Sequence, residues 1–408
     1  MRMGQIDSNN FVMVAKVSGK ICKENVQQAL TEIVEAQVML RVRVDNSGSK
    51  PTLKLSENVR PDFNILQRKS NDYWQYAVEQ ELNEIIPITS PLLWRFKWLK
   101  GYDNHEFLLT FNHMIADGHS GLNFYKCFFE KMDNSNFHLS ANSLFPPYEE
   151  ELSSKTQTGN YFLGWLKAFI EVITLRRKNW YKLSRELVDS ENKTGLISKS
   201  LGEEEVDRVL NVCRKENTTI TNFLSAIMVN SVDSMENENV GISVAVDVRP
   251  FLEDKHDGDI GYFVSTVDLW KTAKDNRDIW QLSRDFGKRI KSKLCKSRFK
   301  FDEWSRAFVM KNSQTNEELK KLIHKSVNNS LLLTNLGRSD MKTEFDDFKV
   351  NRCFHVPAVH LIELPFFCLA AASLNGAMQL NLTYSKALVN EQQAENFMNK
   401  VLTALQNC

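Results

Sequence analysis

Residues 107–124, Phe-Leu-Leu-Thr-Phe-Asn-His-Met-Ile-Ala-Asp-Gly-His-Ser-Gly-Leu-Asn-Phe, are the stretch on which the reading of this chain turns. Together with His105 and Glu106, its first half forms an apolar, β-rich run that ends at Asn112. From Gly118 to Met132, Leu122, Phe124, Tyr125, Phe128 and Phe129 recur at helical spacing. His113 therefore stands at the C-terminal end of a strand, and Gly118 opens the helix that follows. A strand-to-helix junction can hold a reactive side chain rigidly and still expose it. An imidazole with its ordinary pKa near 6.5 can take a proton from a hydroxyl or an amine at neutral pH. Gly118 permits backbone geometry that a Cβ would resist. A buried histidine followed by an aspartate that caps the next helix explains the same letters equally well, so the motif alone does not decide.

Working outward, the N-terminal third alternates strands and helices. Phe11–Val17 is β-rich, Lys23–Val38 is helical, Met39–Val44 alternates apolar and basic residues as a half-buried strand does, Tyr73–Leu82 is helical and Leu92–Leu99 is a strand. Polar residues 133–159, which include Pro146-Pro147, form one linker candidate, and 184–200 form another, with a helix at 160–183 between them. A second α/β half follows. Glu203–Glu216, Ile220–Val232 and Asp275–Leu294 are helical, Val240–Val246 and Leu331–Thr334 are strands, and Asn375-Gly376 marks a hairpin before a closing helix at Val389–Leu405. The division expected is 1–183 and 201–408: an α/β fold of two halves with mixed or antiparallel sheets. No Gly-rich phosphate loop follows a strand, which argues against a nucleotide-binding core.

Composition removes several function classes. The 408 residues carry 52 basic and 51 acidic side chains, a formal charge of +1, which gives no field to draw nucleic acid. Seven cysteines, none in a CxxC pair, write neither a zinc site nor a thioredoxin-like site. The opening MRMGQIDSNNF lacks the apolar core of a secretory signal, so an intracellular, cytoplasmic protein with reduced thiols is expected. No window has the roughly 18 uninterrupted apolar residues of a membrane span. The helix at 160–183, aromatic on one side and basic at its end, allows a membrane-surface contact without requiring one.

Other motifs carry less. Gly118-His119-Ser120-Gly121 misses the nucleophile elbow by one position, and Asp285-Phe286-Gly287 lies in a helical stretch without kinase context. His355 and His360 read as core histidines rather than metal ligands, and no metal is expected. The run Lys288–Lys300 reads as a solvated helix face.

The string 107–124, taken with later landmarks in order, resembles the CoA-dependent acyltransferases with an HxxxDG motif. That superfamily includes BAHD enzymes, alcohol acetyltransferases, mycobacterial polyketide-associated acyltransferases and condensation domains. The landmarks are Val17–Ile21 with its following helix, MLRVRV at 39–44, SPLLWRFKWL at 90–99, VAVDVRPFL at 244–252, GYFVST at 261–266, LLLTNLG at 331–337 and the closing hairpin and helix. Two departures place the chain within the group. Asn112 stands where condensation domains and many alcohol acetyltransferases carry a second histidine, and the DFGWG motif of BAHD enzymes is absent.

The resemblance implies two chloramphenicol-acetyltransferase-like domains with an active-site channel between them. It implies an acyl-CoA-dependent O-acyltransferase, or N-acyltransferase, in which His113 is the general base and no covalent acyl-enzyme forms. Asp117 would pair with Arg249 and, with Gly118, hold the loop, while Thr334 or Asn335 would meet the oxyanion. Acyl-CoA would be a co-substrate rather than a bound cofactor, the other partner a small alcohol or amine, and the protein a monomer. The alternatives are a condensation-type enzyme fed by a carrier-protein thioester and a non-catalytic binding protein of the same fold.

Overall fold

The computed structural model describes residues 10–45, 47, 52–56, 59–145, 150–151, 166, 169–171, 174, 178–181, 193–295, 298–302, 304, 329–359 and 367–408. The first sheet is built around two strands whose residues are apolar on both faces. β1 (Asn10–Gly19) lies antiparallel to β6 (Asn104–Asn112), with Phe11 opposite Phe111 and Met13 opposite Leu109. Burial on both sides suits such runs to central positions, where the N–H and C=O groups on both edges of the strand find partners. β5 (Trp94–Lys100) and β4 (Phe63–Gln67) extend the sheet on one side, the last pair parallel. β2 (Val42–Asp45) and β3 (Thr52–Leu55) form a separate hairpin.

The other edge of this sheet comes from far along the chain. β11 (Phe348–Pro357) pairs with β1 antiparallel, so a segment of the 201–408 half completes the sheet of the first half. This strand crosses the sequence division at 183/201. Helices α1 (Lys23–Ala36) and α3 (Gly118–Asp133) cover one face against Phe11, Met13 and Ala15. On the opposite face α2 (Tyr73–Asn83) packs Trp74 and Val78 against Val12, Val14 and Phe354. The aromatic residues of α3 stack on the sheet, with Phe128 and Phe107 centroids 5.3 Å apart. Each buried phenylalanine of this kind stabilises by roughly 1.5–3 kcal/mol.

The second sheet is mixed. Its order is β7 (Thr194–Leu201), β13 (Ala377–Ser385), β12 (Phe367–Leu374), β10 (Leu331–Arg338), β8 (Val240–Asp247), β9 (Val264–Lys271), with β10 parallel to both its neighbours. Helices α4 (Glu203–Lys215), α5 (Ile220–Ser231), α6 (Ile279–Lys293) and α7 (Glu391–Gln406) pack on one face of it. Asn375 at φ 52° and Gly376 at φ 76° form the β12–β13 turn, as that dipeptide predicts. The fold is therefore α/β with mixed and antiparallel sheets in two lobes.

Four sequence readings change. Residues 39–44 are not one strand: Val38–Arg41 form a 3₁₀ turn that buries Met39 and Leu40, and only Val42–Asp45 are extended. The linker candidate 184–200 runs into β7, an edge strand whose Leu196 and Ile197 are buried. Helix α6 starts at Ile279, four residues later than expected, because Asp278 caps it through Gln281 N–H. The basic run 288–300 is not simply solvated. Arg289 and Lys293 lie over the Trp270 ring at 4.9 Å each, and Arg298 pairs with Glu171 at 2.9 Å. Asp285, Phe286 and Gly287 are helical. Most of 160–183, and His360, fall outside the described residues. Among the described residues, no helix is long and apolar enough to cross a membrane.

Candidate active site

β6 delivers His113 directly past its last ladder residue. Asn112 is buried, and its side-chain oxygen accepts from Met114 N–H at 3.1 Å while its carbonyl accepts from Ile115 N–H at 3.2 Å. These bonds coil residues 112–116 into a turn and aim the chain into α3. The amide at 112 thus supports the turn.

His113 Nδ1 stands 2.8 Å from the Ala116 carbonyl oxygen. A carbonyl only accepts, so Nδ1 carries the proton and Nε2 is left with its lone pair. The ring leans on Phe11, with centroids 4.8 Å apart, and meets Tyr262 edge-on at 5.2 Å. Burial pushes its pKa below the ordinary imidazole range, against the opposing pull of the Ala116 carbonyl and the Asp117 charge. At neutral pH the ring is uncharged.

Asp117, fully buried four residues on, is occupied in a different way. It caps α3, its Oδ1 accepting from Ser120 N–H at 2.8 Å. Arg249 grips both oxygens, Nη1 to Oδ2 at 2.9 Å and Nη2 to Oδ1 at 3.1 Å, and Phe263 N–H adds a bond to Oδ2 at 2.9 Å. Burial works to raise the carboxyl pKa, but Arg249 and the N–H donors outweigh it and hold the group below the usual carboxylate range. Arg249 also donates to Asp247 and to the His256 carbonyl, and its guanidinium lies 4.4 Å from the Phe263 ring centre. The planar fork of arginine fits this bidentate geometry, which lysine cannot supply. The pair ties together segments 132 residues apart in sequence.

Ser120 completes the anchor. Its hydroxyl accepts from Arg249 Nη2 and Gly261 N–H, both at 3.0 Å, and lies 2.9 Å from Asp117 Oδ1 and 2.8 Å from the Gly261 carbonyl. It is buried, so it offers no exposed nucleophile. The segment thought to be a linker contributes here too. Asn142 donates to Asp259 at 2.9 Å, and Glu151 lies 2.9 Å from His256 Nε2, whose Nδ1 is 2.8 Å from Asp259. Ser120 has a sequence signal, because it sits at the third position of a helix capped by aspartate. The donors from Gly261 and Phe263 are backbone groups and have none.

Thr334 and Asn335, adjacent on β10, turn to opposite faces. Asn335 Nδ2 donates to Thr221 Oγ1 at 3.0 Å on the α5 side, and its Oδ1 accepts from Gly337 N–H at 2.9 Å. Thr334 Oγ1 faces His355 Nε2 at 3.1 Å. Leu336, on the same face as Thr334, reaches the motif loop: a methyl group at Gly118 would come within 2.6 Å of Leu336 Cδ2. A side chain at position 118 would therefore require Leu336 to move. His355 is buried, and burial, followed by the charges of His119 and His113, takes its pKa down to about 3. The three imidazoles thus share one electrostatic neighbourhood. Sequence reasoning placed His355 only in the core, because its distance from His113 along the chain hides their nearness. Among the described residues, no group of three or more His, Cys, Asp or Glu is placed to hold a metal ion. Two surface depressions, one beside Thr272 and Arg289 and one beside Glu32 and His138, contain none of these residues.

The model of the condensation domain family matches residues 4–408. No curated protein matches the sequence. Similar solved structures include the TRI3 trichothecene 15-O-acetyltransferase from Fusarium sporotrichioides, 13% identical, covering 98% of this chain and 91% of that one with a TM-score of 0.74. Polyketide synthase associated protein 5 from Mycobacterium tuberculosis is 11% identical over 100% and 96% of the two chains, with a TM-score of 0.71. The condensation domain of the Monacolin K polyketide synthase MokA is 12% identical over 98% and 91%, with a TM-score of 0.70. At these identities the likeness is one of fold.

Proposed function

The chain belongs to the condensation-domain family, and from that premise we propose that it transfers an acyl group from an acyl-CoA thioester to a hydroxyl acceptor, with His113 as general base. The observation that carries this reading is the hydrogen bond of His113: Nδ1 is committed to the Ala116 carbonyl at 2.8 Å, which leaves the Nε2 lone pair for a proton, and burial favours the uncharged ring. An amine acceptor would use the same base. In the step proposed, the acceptor oxygen attacks the thioester carbonyl carbon while Nε2 takes its proton. The tetrahedral oxyanion then collapses, the C–S bond breaks, and the thiolate recovers the proton from the imidazolium. General-base assistance of this kind contributes on the order of 10²–10⁴-fold.

Asp117 is assigned a structural part. Both its oxygens are engaged by Arg249, Ser120 and Phe263, and the imidazole takes its orientation from Ala116. For the oxyanion, Thr334 is the better of the two candidates, because the Asn335 amide turns to the α5 side and donates to Thr221, whereas Thr334 lies on the opposite face beside His355. Donors of that type are worth roughly 10²–10³-fold in kcat. Acyl-CoA enters this scheme as a co-substrate.

The family match favours a second reading, in which a carrier protein's phosphopantetheine arm presents the acyl group. Free-thiol release decides between them. The protein is incubated with acetyl-CoA and longer acyl-CoA thioesters against a panel of alcohols and amines, and in parallel with the same acyl groups on a carrier protein. Turnover with free acyl-CoA is expected. Turnover with the carrier thioester alone would replace the CoA reading with the second one, and no thiol release from either donor would refute acyl transfer.

A further inference from the structure

The Thr334–His355 contact is unusual in what it leaves over. His355 is 4% exposed, and its Nδ1 is a buried atom without a hydrogen-bond partner. The neutral ring has one N–H and one lone pair, so two arrangements are open to it. If Nδ1 carries the proton, a buried N–H has no acceptor, which is among the rarest and costliest defects in a folded interior. If Nε2 carries it, the N–H donates to Thr334 Oγ1 and the atom left over is an acceptor, the milder defect. Thr334 is partly exposed, and with its oxygen accepting from His355 its own hydroxyl hydrogen is left free to be donated elsewhere. The same strand holds His355 in register with Met13 of β1, whose side chain lies against Gly121 of α3.

We propose that His355 is a positioning residue: as the Nε2–H tautomer it donates to Thr334 Oγ1 and thereby directs the Thr334 hydroxyl hydrogen at the oxygen of the acyl group under attack. This inference rests on the acyl-transfer reading above. It gives the buried histidine a part in the reaction without contact with either substrate. The low basicity of His355 serves the arrangement, because a neutral ring keeps a single N–H and cannot be turned into a second cation beside His113.

The test compares variants on whichever thioester donor and acceptor the wild-type protein turns over. Thr334→Val removes the hydroxyl at nearly constant volume, and kcat falls by about 10²-fold. His355→Met, apolar and of similar reach, lowers kcat by about tenfold or more with KM little changed. His355→Gln returns an N–H donor to the position of Nε2 and restores kcat to within about threefold of wild type. The double variant Thr334→Val/His355→Met is no slower than Thr334→Val alone, since His355 acts only through that hydroxyl. A wild-type kcat for His355→Met, or losses that multiply in the double variant, would overturn the inference. Should His355→Met fail to fold, the ¹⁵N-histidine spectrum of the wild-type protein decides, with His355→Gln used for assignment. An Nε2-protonated ring supports the proposal and an Nδ1-protonated ring refutes it. A wild-type protein that turns over neither kind of thioester refutes the acyl-transfer reading instead, a result separate from the tautomer.

Discussion

Asp117 and His113 lie four residues apart, yet their surroundings are opposite in kind. Around Asp117 the polar groups are heavily paired: two carboxylate oxygens receive five donors from Arg249, Ser120 and Phe263. Around His113 and His355 they are sparse: one ring nitrogen of each has a partner, and burial keeps both rings uncharged at neutral pH. A saturated buried ion pair has no bonding capacity left for a substrate and can only hold its neighbours in place. An under-used imidazole such as His113 retains a lone pair that chemistry can take up. Pairing, more than proximity to the motif, separates the anchor from the reactive side of this site.

The comparison is broken most forcefully from the anchor side. Asp117→Ala leaves the buried Arg249 with only the half-buried Asp247 as counter-charge, and Arg249→Ala strands the carboxylate, each expected to cost roughly 3–5 kcal/mol. Urea unfolding and thermal melts measure this. A stable Asp117→Ala protein with crippled turnover would instead make the aspartate a partner of the imidazole, as in a catalytic triad.

On the reactive side the order of effects reverses. His113→Ala removes one hydrogen bond and leaves no buried charge, so its melting temperature should stay close to wild type. Turnover should fall by on the order of 10²-fold or more. Steady-state kinetics beside a melt on the same preparation separates the two quantities, and a large loss of stability would place His113 with the anchor.

Acid sharpens the contrast by a smaller amount. The folded pKa of His355 is about 3 and that of an unfolded histidine about 6.5, so the unfolded chain binds more protons between those values. Stability present above pH 6.5 is therefore lost as pH falls toward 3, by about 2 kcal/mol at pH 5 from this residue. Asp117, whose pKa is depressed, works in a separate window and gives up its contribution only as pH falls below the ordinary carboxylate range. Urea midpoints at pH 7 and pH 5 should differ less in His355→Gln than in wild type. Equal differences would show that the ring is not the titrating group.

Much of this was legible along the chain. The strand before His113 and the aromatic helix after it show their periods plainly, because each element's own burial pattern writes them. The Asn375-Gly376 turn is legible for the same reason, since few residue pairs accept positive φ twice. The family resemblance located Arg249 as the partner of Asp117, and the two lie in bidentate contact. Residues 39–44 were misread because alternation of apolar and basic residues also suits a short 3₁₀ turn that buries one side.

Local sequence thus determined the α/β character, the position of His113 at the end of a strand, and the cap that Asp117 provides to α3. All of these depend on neighbours within a turn or two. Tertiary structure alone decided that β11 would cross to the first sheet, and so that His355 would meet Thr334 and share the surroundings of His113. It also decided that Thr334 and Asn335 would face apart, and that backbone N–H groups of Gly261 and Phe263 would complete the anchor. The physical reason is the same in each case. Hydrogen-bond partners and desolvation come from atoms brought together by packing of the two lobes, and no spacing within a single segment encodes which atoms those will be.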